Sequence, residues 1–584
     1  MIFLFAVLFA GLVASCNDLL DLQNDGRTTI EEVFKTRNGV RGYLNSCYGY
    51  LPVAGIGRSS LTDDAQDADG IYGNSLYSYW YANGFSASFF FATDEQPWSS
   101  YYEGIRKCNM FIGNMPGVDR ESIGASEAEM TTWVAQAYSL RALYYLQLIK
   151  RYGAVPIITE TYDITHDYSD DRRAPVSEVV GQILADCDAA LSAPAIANGF
   201  SWRVSAGQRG IMTRAVVNAI RSEAITYAVS PLFDDGTYTW ADATRINGEA
   251  LSGCLSNGFE LFRDEPAPDI AQNAYALYFI TRSDEQQAYD KETIYGGQTL
   301  SVWQTAGMPS TAGQITAGPC PTQELVDSYE MQATGERPVT GYSDAAHLQP
   351  VINPSSGYNP DRPYEGRDPR FYASIYYNGA PRRLDGNATV GTYFGAQDGI
   401  TATDRRTTRT GYYLRKYNNW RSSRDNSADG EIRLFRLGAL YLNFAESAYQ
   451  SAGPDAAVNL GNGISMSARD AVNAIRTRAG MPLFPAGMTR EAFEAKYRNE
   501  RRVELAFEEH RYFDVRRWKI LESSERYLTG MYITQQENGG FSYERIGFER
   551  ASGIEKYYFY PIEQSEANKM QDHTGVNWQN PGWN

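Results

Sequence analysis

The sequence predicts a mostly α-helical protein with a loop-rich C-terminal half and minor β content. Three observations predict it. Apolar residues recur at intervals of three and four through much of residues 30–258 and again after Leu434, the period of a helix with one buried face. From about Thr281 to Asn426 that period fades; Gly, Pro, Thr and Asn become frequent and apolar runs shorten, as in Arg370–Tyr377 and Thr410–Tyr417. That is the pattern of loops with a few strands and small helices. The composition, 43% hydrophobic and 21% charged over 584 residues, is that of a folded chain able to bury one large core or two intimate ones.

The N-terminus comes first. Met1–Ala14 is apolar throughout; it is short for a transmembrane helix and fits the core of a secretory signal. Val13-Ala14-Ser15-Cys16 follows and is similar to the bacterial lipobox, whose cysteine is acylated and becomes residue one. We expect a signal over 1–15, lipidation of Cys16, and a tether over 16–26 opened by Asn17, Asp18 and Asp21. Each buried CH₂ contributes about 0.8 kcal/mol, so several acyl chains anchor firmly. No Lys or Arg precedes the apolar run, which points to a start upstream. Nothing after Cys16 offers a 20-residue apolar span, nor the alternating strands of a barrel. The five remaining cysteines, Cys47, Cys108, Cys187, Cys254 and Cys320, read as small buried hydrophobes rather than a disulfide framework.

Helices are expected at Ile30–Tyr50, Trp98–Met115, Ser126–Tyr152, Val176–Leu191, Thr213–Val229 and Asn247–Gly258, an N-terminal helical region over 27–260. Gly153 with Pro156, and Ser230-Pro231, are stop signals. A second region over 282–584 opens with loops and then returns to helices at Leu434–Ser451, Ala468–Ala479 and Arg498–Lys519. Leu437-Gly438-x-x-Tyr441 resembles the first helix of a tetratricopeptide unit, and Ala471-x-x-x-Ile475 could serve the second.

Arg498–Lys519 reads as one long, charge-dense helix. Val503, Ala506, Phe507, His510 and Phe513 share a face, and Glu500, Glu504 and Glu508 run down another. Arg501, Arg502, Arg511, Arg516 and Arg517 are near enough to pair with them. The adjacent Glu508 and Glu509 point about 100° apart on a helix and cannot flank one bond as an acid/base pair. A structural ion-pair role is expected.

This stretch also carries a resemblance. Glu500-Arg501-Arg502-x-Glu504-Leu505-x-Phe507-Glu508-x-x-Arg511-Tyr512-Phe513-Asp514-x-Arg516-Arg517-Trp518 resembles the C-terminal signature of the SusD/RagB family. Further blocks follow in the family's order: Arg141-Ala142-x-Tyr144-Tyr145, Tyr152-Gly153-x-x-Pro156, Tyr227-Ala228-x-Ser230-Pro231, Arg367-Asp368-Pro369-Arg370, Ile475-Arg476-x-Arg478-Ala479-Gly480 and Gln579-Asn580-Pro581-Gly582. The resemblance implies a SusD-like fold of degenerate tetratricopeptide helix pairs backing a loop-rich half. It implies an outer-membrane nutrient-binding lipoprotein that caps a SusC-like TonB-dependent transporter.

The formal net charge of -17 argues against nucleic acid and against adhesion to anionic lipid through charge. An acidic polymer is disfavoured. Four scattered His do not make a metal centre, and no cofactor motif is present. The 42 Tyr and 10 Trp hint at a binding surface. Two irregular segments could supply it. Ile71–Phe91 carries Tyr77, Tyr79 and Tyr81 on one parity and Trp80 on the other, and Gln298–Gly318 carries Trp303. Aromatic faces there could stack on sugar rings; the alternative is that Trp80 and Trp303 pack under their own loops. Trp98 opens a helix and is expected to be structural. Thr62–Asn74 fails the EF-hand spacing, since Gly70 at position 6 puts Ala65 at 1 and Leu76 at 12; a solvated acidic loop is the plainer expectation. No HExxH, Walker loop or nucleophile elbow supports an enzyme. The expected function is capture of an oligosaccharide, with a peptide ligand or a helical glycosidase as alternatives.

Overall fold

The computed structural model describes residues 29–583 except 54, 91–96, 204–209, 282–289, 297–301, 312, 385–387 and 422–429. The expected signal, Cys16 and the tether lie outside the described residues.

Helices dominate, and their ends follow from capping chemistry. After a single turn at Ile30–Val33, Thr36 caps α1 (Arg37–Cys47). Ser75 caps a short α2 (Leu76–Tyr81), and α3 follows at Pro97–Asn114. The longest helix, α4 (Glu127–Tyr152), starts with a capping box between Ser126 and Glu129 and stops at Gly153, whose φ of 69° lets the chain leave. From Ala135 onward nearly every face of α4 is buried, so it is the central rod. Next come α5 (Val176–Ala190), α6 (Arg214–Ala228) and α7 (Trp240–Ser256). The last begins seven residues before the expected Asn247, because Thr239 and Asp242 form a capping box there.

Apart from the short α2, successive helices pack on one another: α1 on α3, α3 on α4, α4 on α5, α5 on α6 and α6 on α7. The stack then continues with α8 (Leu437–Ala452), which docks on α7 from far along the chain and receives α9 (Ala468–Ala479) and α10 (Arg490–Glu504). Asn247 sits in this seam with its amide nitrogen 3.1 Å from Thr226 Oγ1, Asn443 O and Ser447 Oγ. One apolar core therefore runs from Phe34 to Trp583. Val176–Ala197 is apolar and long enough to cross a membrane by composition, which corrects the expectation that no such span follows Cys16. In the fold it is a segment buried along one face only and broken at Leu191–Ser192, with Asp186 inside it paired to Arg141.

The intervening loop-rich part builds a second core around Tyr275, Phe279, Tyr329, Phe371 and Tyr412. Its sheets are two-stranded fragments. Here β1 (Ala65–Asp67) pairs antiparallel with β2 (Pro319–Pro321), and Ile375–Tyr376 pairs with Tyr413–Leu414. A hairpin of two nine-residue strands, β3 (Tyr527–Gln535) with β4 (Phe541–Glu549), was not anticipated; Asn538-Gly539 at its turn was the available signal. A last helix, α12, spans Gln564–Thr574. All five cysteines within the described residues are free and buried.

The expected long helix Arg498–Lys519 is two helices. The chain leaves α10 at Glu504, passes Phe507 and Glu509 at φ 61° and 66°, and re-enters as α11 (His510–Arg517). Positive φ at such residues costs energy and persists only when surroundings hold it. Here distant side chains take the carbonyls that the break releases. Tyr275 Oη donates to Glu504 O (2.7 Å), Lys416 Nζ to Ala506 O (2.7 Å), and Tyr417 Oη to Phe507 O (3.1 Å). The ion pairing is also long-range. Arg370 donates to Glu500 (2.6 Å) and Glu504 (3.0 Å); Arg436 donates to Glu504 (2.9 Å) and Glu508 (2.6 Å); Arg476 donates to Glu500 (2.6 Å). The arginines of the stretch itself look elsewhere: Arg501 and Arg517 to Asp514, Arg511 to Asp63, Arg502 to Asp64. The structural role holds for Glu508 and Glu509; the first binds Arg436 and Lys416, the second Arg58.

Candidate functional site

The pairing of β1 with β2 joins the two irregular segments that the sequence singled out. Ala68 N–H donates to Gly318 O (2.9 Å), just beyond the strands. Gly318 is required there: φ is 58°, and a Cβ would lie 1.8 Å from Thr305 O on the adjoining turn Val302–Thr305. A third segment closes the cluster. Ala317 N–H donates to Arg405 O (2.9 Å), and the Arg405 guanidinium forks onto Asp69, with Nε to Oδ1 at 2.8 Å. Thr316 Oγ1 donates to the same Asp69 oxygen (3.0 Å).

Above this knot Tyr72 is 40% exposed, with the Arg405 guanidinium 5.6 Å from its ring centre. Ile71, next to it in the chain, and Ile315, next to Thr316, are also exposed. Asn418 Nδ2 donates to Ala306 O (3.2 Å), which ties the neighbouring Trp420 to the same loop cluster. Trp420 lies between the guanidiniums of Arg383 and Arg421, each 5.0 Å from its ring centre. An open aromatic ring beside a fixed Arg–Asp fork offers a flat apolar surface with donors and acceptors at its edge.

The residues expected to bind ligand are placed as follows. Tyr77, Tyr79 and Tyr81 lie on helix α2 rather than an alternating strand, so sequence parity does not sort their faces. All three are half-buried. Burial and the neighbouring Asp67 carboxyl raise the Tyr77 hydroxyl well above its ordinary value. Tyr79 packs edge-on against Phe89, centres 4.9 Å apart. Tyr81 donates to Ser60 O (3.0 Å) and accepts from Asp67 N–H (2.9 Å), with Arg550 over its ring. Trp80 is 1% exposed, against Tyr557 and Tyr512, and Trp303 is 3% exposed. Both indoles sit beneath their loops and present no face to solvent. Trp98, expected to be structural, packs on Tyr152 and Tyr102.

The acidic run Thr62–Asn74 is not a solvated loop. Asp63, Asp64 and Asp67 are buried. Asp63 takes both Arg511 nitrogens at 2.8 Å, and Asp64 takes Arg502 at 2.8 Å. Arginines far away in sequence supply these partners, so no local pattern announced them. Asp67 has no such ion pair among the described residues: it accepts from Ser60 Oγ (3.0 Å) and Asp69 N–H (2.9 Å), and burial lifts its carboxyl to about 7. Among the described residues, no group of three or more His, Cys, Asp or Glu is arranged to hold a metal. Sequence reasoning passed over Tyr72, Asp69 and Arg405; Gly70 and Gly73 around Tyr72 marked a turn that exposes it.

A helix-pair scaffold presenting a pre-formed aromatic and polar loop face defines a binding protein. Residues 279–583, more than half the chain, match the SusD family, and residues 19–196 match a family described as starch-binding and associating with the outer membrane. The chain belongs to the SusD family, and so to a carbohydrate-binding group associated with the outer membrane. Among solved structures, a SusD-like protein from Bacteroides fragilis superposes with a TM-score of 0.71 at 24% identity, over 95% of this chain and 98% of its own. A protein described as a laminarin binding SusD-like protein gives 0.56 at 19% identity, over 94% and 99%. Surface glycan-binding protein A from Bacteroides uniformis gives 0.59 at 17%, over 93% and 100%. At these identities the likeness bears on the fold. No curated protein matches the chain.

Proposed function

We propose that the protein is a lipid-anchored outer-membrane receptor that captures a neutral glycan on the Tyr72 face and passes it to a SusC-like TonB-dependent barrel, for which it acts as a lid. The observation that carries this reading is the β1–β2 pairing, which sets Tyr72 over the Asp69–Arg405 fork as one rigid surface. A sugar ring would lay its C–H face on Tyr72 while its hydroxyls meet the fork's outer atoms. Tyr77, Tyr79 and Tyr81 would shape the floor of this face, and Trp80 and Trp303 would serve it from below by holding the loops. The net charge of -17 favours a neutral polymer over an acidic one. The protein binds its glycan without cleaving it. Acylation at Cys16 keeps lid and barrel at high local concentration, so a reversible contact suffices.

Affinity electrophoresis against a polysaccharide panel that includes laminarin and starch, with a peptide panel beside it, tests the reading. The expected result is retardation by at least one neutral glycan, lost in Tyr72→Ala, with no shortening of the polymer. Binding of peptides alone would overturn it in favour of a peptide receptor. Loss of fatty-acid labelling in Cys16→Ala, and co-purification of a large barrel protein in mild detergent, test the anchor and the partner.

A further inference from the structure

Outside the loop face the molecule holds a second built cavity, of about 300 Å³. It lies between the start of α3, the connection 156–171 and the C-terminal segment around α12. Its walls are aromatic. Trp98 and Tyr102 stand 5.0 Å apart at 53°, Tyr162 and Tyr168 stand 6.2 Å apart at 79°, and Trp578 closes the far side. Rings set across one another give an enclosed molecule more than one face to lie against. The polar lining carries both signs: Arg106 on α3, with Glu160, Asp171 and Glu566 around it.

The framework invests in holding these walls still. Tyr102 Oη donates to Pro156 O (2.8 Å). Asn109 Nδ2 lies 3.0 Å from both Ile158 O and Glu160 O, and Ile158 N–H donates to Tyr145 Oη (2.7 Å). Arg141, itself forked onto Asp186 at 2.9 and 2.6 Å, donates to Thr159 O (3.1 Å). On the other side Arg173 donates to Ala154 O (2.8 Å), Tyr152 O (2.9 Å), Trp578 O (2.6 Å) and Asn580 Oδ1 (2.6 Å). One guanidinium thus pins the C-terminal wall to the end of α4. These hydrogen bonds hold the exposed connection in one place, and a pre-formed site loses less entropy when it binds.

The lining chemistry selects among ligands. A cation would find the carboxylates, but Arg106 shares the lining, Lys569 already sits 5.0 Å from the Tyr168 ring, and His166 contacts Asp171 at 3.2 Å. Arg106 and Lys569, the latter 3.8 Å from Glu566, offset most of the three carboxylates, and the small negative excess disfavours an anion; the groups remain as donors and acceptors at the edge of flat rings. That combination suits a neutral polyol ring. The volume suits a single unit, and the cavity is walled on three sides, unlike the open Tyr72 face.

We propose that this cavity is a second sugar site, which takes one neutral pyranose unit at a chain end or branch of the glycan. The proposal rests on the reading of the protein as a glycan receptor. It is tested on the purified full chain with methyl pyranosides of neutral hexoses and pentoses, read by saturation-transfer NMR and by tryptophan fluorescence. At least one should bind. Tyr162→Ala and Tyr168→Ala should each weaken it tenfold or more. Should either alanine variant lose the wild-type circular dichroism, Glu160→Gln and Arg106→Gln, both exposed at the rim, carry the test with the same expected loss. Three results overturn the proposal: no methyl pyranoside binds, binding is indifferent to the cavity substitutions, or only an amine-bearing glycoside binds. Polymer capture that depends on Tyr72 beside an empty cavity removes the second site and leaves the first. Cavity binding without polymer capture removes the first and leaves the second.

Discussion

Glu504 and Asp69 each accept from arginine, in opposite settings. Glu504 is wholly buried, between Arg370, Arg436 and Arg478, where α10 ends. Asp69 meets Arg405 in the loop face, where the Arg405 side chain is 37% exposed. Burial alone would raise the Glu504 carboxyl, yet the three guanidiniums outweigh it and hold it well below the ordinary carboxylate range. In that surrounding a charge has no substitute for its partners, so the geometry is fixed. At the loop face water competes, the pair contributes little to stability, and its outer atoms are free to meet a ligand. The same contrast separates Trp80, which is sealed against Tyr557, from Tyr72, which is open beside Arg405. The lesson is that the aromatics and ion pairs of the core hold the shape of a surface on which more modest residues act.

The largest expected effect breaks the buried side of the comparison. Glu504→Ala removes the carboxylate that three buried guanidiniums share, leaving each with fewer partners, and should destabilise the fold by about 3–5 kcal/mol in chemical denaturation; a change under about 1 kcal/mol would contradict the lattice. The same group sets an acid limit. Its folded value lies below its unfolded one, so its contribution is complete above about pH 4.5 and is lost as pH falls through the folded value. Glu500, Glu508 and Asp514 are lowered in the same way, so unfolding free energy should decline steadily on acidification from pH 5, and with a shallower slope in Glu504→Gln.

Trp80→Ala should cost about 3–5 kcal/mol through the cavity it leaves. Trp80→Phe should keep wild-type glycan affinity if the indole works only from below, and a tenfold loss in a folded Trp80→Phe would put it at the ligand. Asp67→Asn sharpens the contrast from the other direction. Its carboxyl is raised to about 7 by burial, so the folded state binds its proton more tightly than the unfolded chain. The penalty begins above the unfolded value near 4 and is complete above pH 7. Asp67→Asn should then stabilise at pH 8 by at most about 4 kcal/mol and leave stability at pH 4 unchanged; equal effects at both pH values would count against it. The smallest stability effect belongs to Tyr72→Ala, within about 0.5 kcal/mol in thermal unfolding, with glycan affinity down about tenfold to hundredfold. The reverse ratio would place Tyr72 in the scaffold.

Most of the scaffold was legible because its signals are local. Ser126 with Glu129, Ser467 with Asp470, and Gly153 and Gly480 mark helix ends within a few residues of where they fall, and the apolar period of Trp133, Ala137, Leu140, Tyr144 and Leu148 is read without knowing what covers it. The family was legible for the same reason, since its blocks are short runs of fixed spacing. The two loop segments that matter were also recognisable as irregular and aromatic.

What tertiary structure alone decided is which of those residues face outward and what the charges pair with. Glu500, Glu504 and Glu508 lie near enough in sequence to pair with arginines of the same stretch, yet they bind Arg370, Arg436 and Arg476. The continuous helical pattern across 505–509 gives way to a break that Tyr275, Lys416 and Tyr417 hold open. Tyr72 is exposed and Trp80 buried only because β1 meets β2 and α2 turns its indole against Tyr557 and Tyr512. Periodicity records the direction of a side chain relative to its own backbone. Burial and ion pairing depend on elements hundreds of residues away, and their free energies are large enough to override local preference.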